Sequence, residues 1–302
     1  MCSSDLAKPI RLVVGFAPGG AADTVARALG EPLGRALGQP IVVENRAGAG
    51  SSIAADNVAH SPPDGYSVLI ASPAGISVNP ALNPKLGYKP GDLVPITKVS
   101  ASPLLLVVNP STGITSVKEL IAAAKKDPDK LNYATSGVGS APHFGAVLFS
   151  QMAGIRMVHV PFKGGAPAVM SVVAGDTQVT FATPPSVLPM VRAGRLRALA
   201  VTNPERSPLM SDIPGMAEAG VPEYAIAFWY GLFVPVGTPP EIVKKLFEAI
   251  TSAAQKPEVK EMLAREGTEV ALSRSPEDFA AFLAEDAKFW VKLVKDSGAT
   301  AD

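Results

Sequence analysis

The sequence predicts an α/β protein built from two lobes. Apolar runs typical of buried strands alternate with helical periodicity along most of the 302 residues, which predicts mostly parallel sheets flanked by helices. Two long apolar segments, 94–108 and 224–235, carry no helix of their own. If both segments cross between lobes, lobe 1 comprises 7–101 plus 229–302, lobe 2 is the inserted segment 102–228, and the two crossing strands form a hinge.

Each predicted strand of the first lobe ends at a turn, where ligands of open α/β sheets bind. The strands and helices of this lobe are “IRLVVGF” with 23–37, “PIVVENR” with 51–60, and “YSVLIAS”, which ends at Ser72. The second lobe continues with “PLLLVVN” and 116–126, “LNYATSG” and 143–153, “RMVHVPF” and 165–174, “TQVTFAT” and 185–194, and “LRALAVT”. From residue 239 onward helical periodicity dominates, with “TEVALS” as a short strand.

Composition excludes several classes of function. Lysine plus arginine equals aspartate plus glutamate at 27 each, without a basic run interleaved with aromatics, so nucleic acid is not expected as a partner. Gly, Pro and charged residues interrupt every apolar run before it reaches the roughly 18 residues that cross a bilayer, so direct membrane insertion is not expected. The single cysteine, Cys2, forms no internal disulfide.

The first six residues, “MCSSDL”, fit no element that follows them. They lack the basic and apolar regions of a signal peptide, and we interpret residues 1–6 as a non-native or disordered start. A lipid-anchored cysteine is the alternative, but the apolar segment that should precede Cys2 is missing.

The turn “GFAPGGAAD” at residues 15–23 is the first candidate for a binding site. Its glycines have the spacing of a P-loop, but Ala21 and Ala22 stand where lysine and serine or threonine belong, which excludes a nucleotide site. A Pro-Gly-Gly turn before a helix still presents free amides and the positive end of a helix dipole, which suits a carboxylate. In the alternative interpretation Gly19 and Gly20 only form a tight turn and Asp23 only caps the helix.

The turn “YATSGVGSAPHFG” at residues 133–145 is the second candidate. Pro142 in place of a third glycine excludes the dinucleotide fingerprint, and the serines lack the frame of a hydrolase nucleophile elbow. The turn does offer hydroxyls and an imidazole near a helix start, from Thr135, Ser136, Ser140 and His143. An anion site and an ordinary loop are equally compatible with this pattern.

Two further turns follow predicted strands. In “HVPFKGGAPA”, Lys163 precedes two glycines and a helix, so this turn suits an anion, with a solvated lysine as the alternative. The turn “ENRAGAGSS” lacks the last glycine of a dinucleotide fingerprint, and we interpret it as a structural turn near the mouth of the cleft.

The residues that commonly carry catalysis or bind metals are scattered. The three histidines, His60, His143 and His159, have no metal-ligand spacing with a cysteine or carboxylate, so no metal is expected. His159 lies inside an apolar strand and is interpreted as a core histidine. No nucleophile, base and orienting group can be nominated together, so we expect neither catalysis nor a cofactor.

With these segments in view, the sequence resembles the substrate-binding proteins of tripartite tricarboxylate transporters, the Bug family. The resemblance runs from about residue 8 to the end. Its motifs include “KPIRLVVGFAPGGAADTVARAL”, “GYSVLIAS”, “NPALNPKLGYKPGDLVPITKV”, “LNYATSGVGSAPHFG”, “AGRLRALAVT” and “SPEDFAAFLAEDAKFW”. The resemblance implies a type II periplasmic-binding-protein fold, a Venus flytrap whose lobes close on a small carboxylate and deliver it to membrane permease subunits.

The resemblance also implies which residues bind the ligand. One jaw would consist of Phe16, Ala17, Gly19, Gly20 and Asp23, and the other of Thr135, Ser136, Gly139, Ser140 and His143. Ser72, Lys163 and Thr183 complete the expected set. Asp23 is expected to cap its helix and to order the loop, because a carboxylate that faced the ligand carboxylate would repel it.

Departures from the family bear on the ligand and the compartment. A periplasmic location rests on the resemblance, since no signal peptide is visible. Ala182 and Thr183 follow the “VTF” strand where family members often carry an acidic or amide residue, and Phe162 replaces a common tyrosine. We therefore expect a monomeric, extracytoplasmic receptor for a dicarboxylate, or for a carboxylate with an apolar or aromatic body, rather than for an amino acid. The alternatives are a ligand sensor that signals to a kinase and an enzyme on the same scaffold.

Overall fold

A computed structural model describes residues 6–297 of the protein. These residues form two β-sheets with helices packed on them, so the predicted two-lobed α/β class is confirmed. The strands are β1 (Ile10–Val14), β2 (Ile41–Asn45), β3 (Ser67–Ala71), β4 (Leu93–Pro103), β5 (Leu105–Val108), β6 (Asn132–Thr135), β7 (Val158–Pro161), β8 (Val179–Ala182), β9 (Arg197–Val201), β10 (Ala227–Pro235) and β11 (Glu269–Val270).

The helices begin and end close to where periodicity places them. They are α1 (Ala21–Leu37), α2 (Ser52–Ala59), α3 (Asn79–Leu82), α4 (Val117–Lys126), α5 (Ala141–Ala153), α6 (Gly165–Ala174), α7 (Pro184–Arg192), α8 (Pro240–Ala254), α9 (Pro257–Arg265) and α10 (Pro276–Ser297). A π-helical turn at Ala74–Val78 and the short α3 were not predicted. Within residues 6–297 every helix is too short or too polar to traverse a bilayer.

The two sheets are mixed, with parallel and antiparallel neighbours. The first has the order β11-β4-β10-β3-β1-β2, and the second has the order β7-β6-β8-β5-β9. Strands that belong to successive βα units pair in parallel, as β1 does with β2 and β3, and β6 does with β7 and β8. The strands next to the lobe crossings, β4, β5 and β10, run antiparallel to their neighbours: β4 leaves the first lobe, and β5 and β10 each enter their sheet from the other lobe.

The two predicted crossing segments do lie side by side. Strands β4 and β10 pair antiparallel from Leu93 opposite Pro235 to Pro103 opposite Ala227. Just beyond them the buried Thr202 links both crossings, because its hydroxyl accepts from the Leu104 amide at 2.7 Å and donates to the carbonyl of the residue before β10 at 2.8 Å. The lobe boundaries 101/102 and 228/229 stay a prediction, and the sheet to which each strand belongs supports them.

The core explains why the helices lie where they do. In α1 the residues that face the sheet, among them Val25, Leu29 and Leu33, are buried, as the amphipathic pattern requires. Residues 1–5 of the interpreted start lie outside the described range, whereas Leu6 is 5% exposed and packs in the first lobe's core. Helix α10 also contacts the second lobe, where Trp290 packs edge-on against Phe144 with ring centroids 6.3 Å apart.

Candidate functional site

The first loop of the site connects β1 to α1. Gly20 is the N-cap residue of α1, with an extended backbone (φ −87°, ψ 172°) and without a side chain that could cap the helix. The amide groups of the first helical turn therefore lack the usual side-chain partner, and the dipole of a 17-residue helix begins there. The neighbouring Ala22 amide hydrogen-bonds to the Tyr230 hydroxyl, which comes from the crossing strand β10.

Asp23 holds this loop in shape. Its Oδ2 accepts hydrogen bonds from the Gly19 amide at 3.0 Å and from Arg27 Nε at 2.9 Å, and its Oδ1 accepts from Asn45 Nδ2 at 3.0 Å. Asn45 Nδ2 also donates to the Phe16 carbonyl at 3.0 Å. Burial raises the pKa of Asp23, but the hydrogen bonds from Arg27, Gly19 and Asn45 outweigh it and hold the pKa below its usual value. The carboxylate orders the loop, as predicted, but it does not cap α1 from the N-cap position.

The second loop connects β6 to α5 and is held by hydrogen bonds among its own residues. Ser140 is the N-cap residue of α5, and its Oγ donates to the Gly137 carbonyl at 2.6 Å instead of capping the helix. Thr135 Oγ1 lies 2.6 Å from His159 Nε2, so this hydroxyl also has a protein partner. Among the described residues the Ser136 hydroxyl makes no hydrogen bond to the protein, and Ser136 is only half-buried. The first turn of α5 thus begins, like that of α1, without a side-chain cap.

His143 stays neutral in this environment. It is 6% exposed, and its ring stacks on that of His159 with centroids 4.3 Å apart and an interplanar angle of 17°. Burial, assisted by the nearby His159, lowers the pKa of His143 to about 3. Its Nδ1 accepts a hydrogen bond from the Gly139 amide at 3.3 Å, which assigns the proton to Nε2. His143 therefore supports the loop and brings no positive charge to the site.

The N-termini of four helices meet at one cavity between the lobes, which we call the cradle. Its volume is about 20 Å³, enough for about one water molecule. It is lined from the first lobe and the crossing strand by Phe16, Gly20, Ala21, Ala22, Phe228 and Tyr230, and from the second lobe by Ser136, Ser140, Ala141, Pro142, Gly165, Ala168, Thr180, Ala182, Thr183 and Ser186. None of these lining side chains carries a charge.

The electrostatics of the cradle favour an anion. The first turns of α1, α5, α6 and α7 line the same small volume, and free amides at a helix start carry partial positive charge. These amides come from α1, α5 and α6, because α7 begins with Pro184 and Pro185, which have no N–H group. Hydroxyl groups of serine, threonine and tyrosine stand among them. Burial raises the pKa of Tyr230 well above its usual value, so its hydroxyl keeps its proton and can donate.

A second, larger cavity adjoins the cradle. It has a volume of about 290 Å³ and shares the lining residues Phe16 and Ser136 with the cradle. Its walls come from residues 48–52 and 79–86 of the first lobe, and from 136–138 and 161–163 of the second. We call it the side cavity.

The structure brings together part of the predicted set. Phe16, Gly20, Ser136, Ser140 and Thr183 line the cradle, and Lys163 lines the side cavity. The others line neither cavity: Ala17, Gly19, Asp23, Ser72, Thr135, Gly139 and His143. Their role as ligand contacts stays a prediction. Ser72 is fully buried at the end of β3, and its hydroxyl has no hydrogen-bond partner among the described residues.

Sequence reasoning missed several cradle residues. Thr180 and Ser186 come from β8 and α7, and Tyr230 comes from β10. A polar residue inside the apolar strand “TQVTFAT” could have indicated Thr180, and the position of Tyr230 in a crossing segment could have placed it near the cleft. No group of three or more His, Cys, Asp or Glu residues within 6–297 is arranged to hold a metal ion.

Comparison with known proteins relates the chain to one family. A sequence profile for the tripartite tricarboxylate transporter family receptor matches residues 25–299. Protein BugT of Bordetella pertussis is 38% identical over 295 residues, which cover 97% of this chain and 90% of that protein.

Solved structures share the whole architecture. Rpa4515 of R. palustris with adipate superimposes with a TM-score of 0.93 at 35% identity, covering 97% of this chain and 98% of that one. The periplasmic binding protein BugD gives 0.91 at 32% identity, covering 97% and 99%. MatC from Rhodopseudomonas palustris with bound malate gives 0.90 at 32% identity, covering 96% and 99%. The fold is therefore the two-lobed fold of periplasmic binding proteins.

Proposed function

This chain belongs to the tripartite tricarboxylate transporter receptor family, and on that premise we propose that it binds a small carboxylate in the cradle and delivers it to the membrane permease of such a transporter. One observation carries the proposal. Four helix N-termini, one from the first lobe and three from the second, converge on a cavity whose lining contains no charged side chain.

The cradle binds a carboxylate mainly through main-chain amides and hydroxyls. The uncapped turns at Gly20 and Ser140 supply amides from opposite lobes, and Tyr230 adds a protonated hydroxyl. Hydrogen bonds to a charged group contribute roughly 1.5–3 kcal/mol each, so four or five support micromolar affinity, near −8 kcal/mol, after ordering and closure costs. Because no lining residue is acidic, nothing in the cradle repels the anion.

Ligand binding stabilises the closed arrangement of the lobes. A carboxylate that accepts from both loops bridges the two lobes, and β4 and β10 provide the hinge on which they move. The cradle in the described conformation has room for about one water, so a ligand enters when the lobes move apart.

The residues beyond the cradle favour a ligand with an apolar body or a second carboxylate. Ala182 ends β8, and Thr183, Pro184 and Pro185 follow it. None of these residues offers a negative charge to the ammonium group of an amino acid. The relatives Rpa4515 and MatC hold adipate and malate, which supports a dicarboxylate here. We place the protein in the periplasm, without catalytic activity, on the strength of its family and of its periplasmic relatives, and we expect a monomer.

Thermal unfolding against a panel of mono-, di- and tricarboxylates, amino acids and aromatic acids tests this function. One carboxylate class should raise the Tm in a concentration-dependent way, as linkage requires. Mass spectrometry of the denatured supernatant identifies any ligand that was already bound. If amino acids alone raise the Tm, or if no acid does so in protein shown to be empty, the proposed function is wrong. Loss of uptake of the same acid after deletion of the gene would support delivery to a permease.

A further inference from the structure

The side cavity is large enough for most of a small organic acid. Its volume of about 290 Å³ exceeds that of the cradle at about 20 Å³ and approaches the lower end of the usual range for ligand sites. Because Phe16 and Ser136 line both cavities, a ligand anchored in the cradle can extend into the side cavity past these two residues.

The walls of the side cavity suit an apolar chain or ring. Phe16, Leu82, Leu86 and Phe162 present apolar side chains to it. The amide nitrogen of Asn79, a polar group in the wall, is already committed to three acceptors of its own lobe: the carbonyls of Ala49 and Gly50 and the hydroxyl of Ser52, at 2.7 to 3.1 Å. It therefore has no hydrogen to spare for a ligand.

Lys163 is the one charged side chain in the lining of the side cavity. It is exposed, and it has no acidic partner among the described residues. The residue that follows it, Gly164, caps α6 and packs against Ala17 across the cleft, where an added Cβ would lie 3.0 Å from the Ala17 Cβ. This contact fixes the backbone of Lys163 at the closing edge of the two lobes.

We propose that Lys163 determines specificity by binding the second carboxylate of a dicarboxylate whose first carboxylate occupies the cradle and whose apolar chain or ring fills the side cavity. The proposal rests on the proposed function and narrows it. An ammonium in place of the second carboxylate would face Lys163 and be repelled, and a methyl group would leave the lysine without a partner.

Titration calorimetry of the full chain with adipate and hexanoate tests the proposal. The two acids share a six-carbon chain and differ only in whether the far end is a carboxylate or a methyl group. Wild-type protein should bind adipate about tenfold more tightly than hexanoate. Lys163→Met should weaken adipate binding about five- to tenfold, leave hexanoate binding unchanged, and so abolish the preference. Lys125→Met, on the exposed face of α4 in the same lobe, serves as the matched control and should change neither affinity.

The outcomes separate this proposal from the proposed function. If wild type binds both acids equally, or if Lys163→Met weakens the affinity for both by the same factor, Lys163 does not bind a second carboxylate. Carboxylate binding in the cradle is not contradicted by either result. If wild type binds neither acid nor any dicarboxylate of four to eight carbons, the specificity proposal is overturned. If it also binds no other carboxylate of the panel, the proposed function is wrong as well.

Discussion

Gly50 of the first lobe lies directly against Val138 of the second: a Cβ atom added to Gly50 would stand 2.6 Å from the Val138 carbonyl oxygen. Real Cβ atoms essentially never approach a backbone atom so closely, and a carbonyl held in a loop has little freedom to move away. The same added Cβ would lie 2.8 Å from Asn79 Nδ2. The closed cleft thus depends on main-chain atoms of the two lobes meeting where no side chain intervenes.

We predict that Gly50→Ala prevents full closure and lowers carboxylate affinity at least tenfold, because the added methyl group holds the lobes apart. The left-handed backbone at this position (φ 58°, ψ 36°) adds roughly 1–2 kcal/mol of strain. Gly154→Ala is the matched control, since Gly154 has nearly the same backbone (φ 61°, ψ 46°) but no neighbour within 4 Å of an added Cβ. Small-angle scattering with and without ligand measures closure. Equal ligand-induced compaction of the two variants would contradict the prediction.

A second prediction concerns acid stability and His143. Its pKa of about 3 lies below the usual value of 6.5, so between these pH values the unfolded chain binds more protons than the folded chain. The contribution of neutral His143 to the free energy of unfolding is therefore complete above pH 6.5. It declines by roughly 1.4 kcal/mol per pH unit as the pH falls toward 3. His143→Gln keeps an acceptor for the Gly139 amide but does not titrate. When the pH is lowered from 7 to 5, the free energy of unfolding of His143→Gln should rise relative to that of wild type by about 2 kcal/mol. Urea unfolding at the two pH values measures this difference.

The same variant tests whether the ligand is bound by a histidine cation. Calorimetry at pH 6.5 in buffers of different ionisation enthalpy should detect no proton uptake when a fully ionised carboxylate binds. Uptake that His143→Gln removes would mean that His143 becomes protonated in the complex, contrary to the neutral, stacked imidazole described above.

A third prediction concerns Trp229 on the hinge strand β10, which donates a hydrogen bond from Nε1 to Asp286 Oδ2 at 2.9 Å. Burial raises the pKa of Asp286 to about 6, although the hydrogen bond from Trp229 opposes the shift. Because the pKa is raised in the folded protein, the protonated Asp286 carboxyl contributes fully to stability below about pH 4. This contribution is lost as the pH rises through 6.

Asp286→Asn keeps an acceptor for the indole and removes the charge. We expect it to raise the free energy of unfolding by about 2 kcal/mol at pH 8 and to give no such gain at pH 4. Glu285→Gln, next to it on α10 and exposed, should stay within about 0.5 kcal/mol of wild type at both pH values. An equal gain at both pH values would show that packing, not ionisation, accounts for the effect.

The sequence was sufficient for most of the strands and helices, because apolar periodicity and turn residues are local signals. It did not indicate α3 or the antiparallel pairing of β4, β5 and β10. It also located Gly20 and Ser140, since a strand, a small-residue turn and a helix follow one another there. It could not show which protein groups the polar side chains of the two loops contact. Thr135 and Asp23 satisfy their oxygens with His159 and with Arg27, Gly19 and Asn45, and those partnerships depend on tertiary distances.

The sequence did not predict the side cavity, because its walls also depend on tertiary contacts. The turn “ENRAGAGSS” was interpreted as structural, yet Gly48 to Ser52 form one wall of the side cavity. The opposite wall belongs to the other lobe, and the remainder includes Leu82 and Leu86, from a region where no helix was predicted. The side cavity is built from five distant segments, and such a site leaves no spacing pattern in the sequence.

We expect the uncapped start of α1 to bind the ligand carboxylate. Gly20 can accept a side chain, because its φ of −87° is ordinary and an added Cβ would have only the Ala17 carbonyl oxygen nearby, at 3.6 Å. Gly20→Asp supplies a carboxylate that caps α1 itself, whereas Gly20→Ala adds no capping group. The aspartate should stabilise the empty protein by a few tenths of a kcal/mol, and alanine should destabilise it slightly.

The most direct measurement is calorimetric titration of these two variants with the carboxylate that binds wild type most tightly. We predict opposite orders of stability and affinity. Gly20→Asp should be the more stable variant, yet it should bind at least tenfold more weakly than wild type, while the affinity of Gly20→Ala should stay within about threefold of wild type. If Gly20→Asp binds as tightly as Gly20→Ala, the start of α1 does not bind the ligand carboxylate.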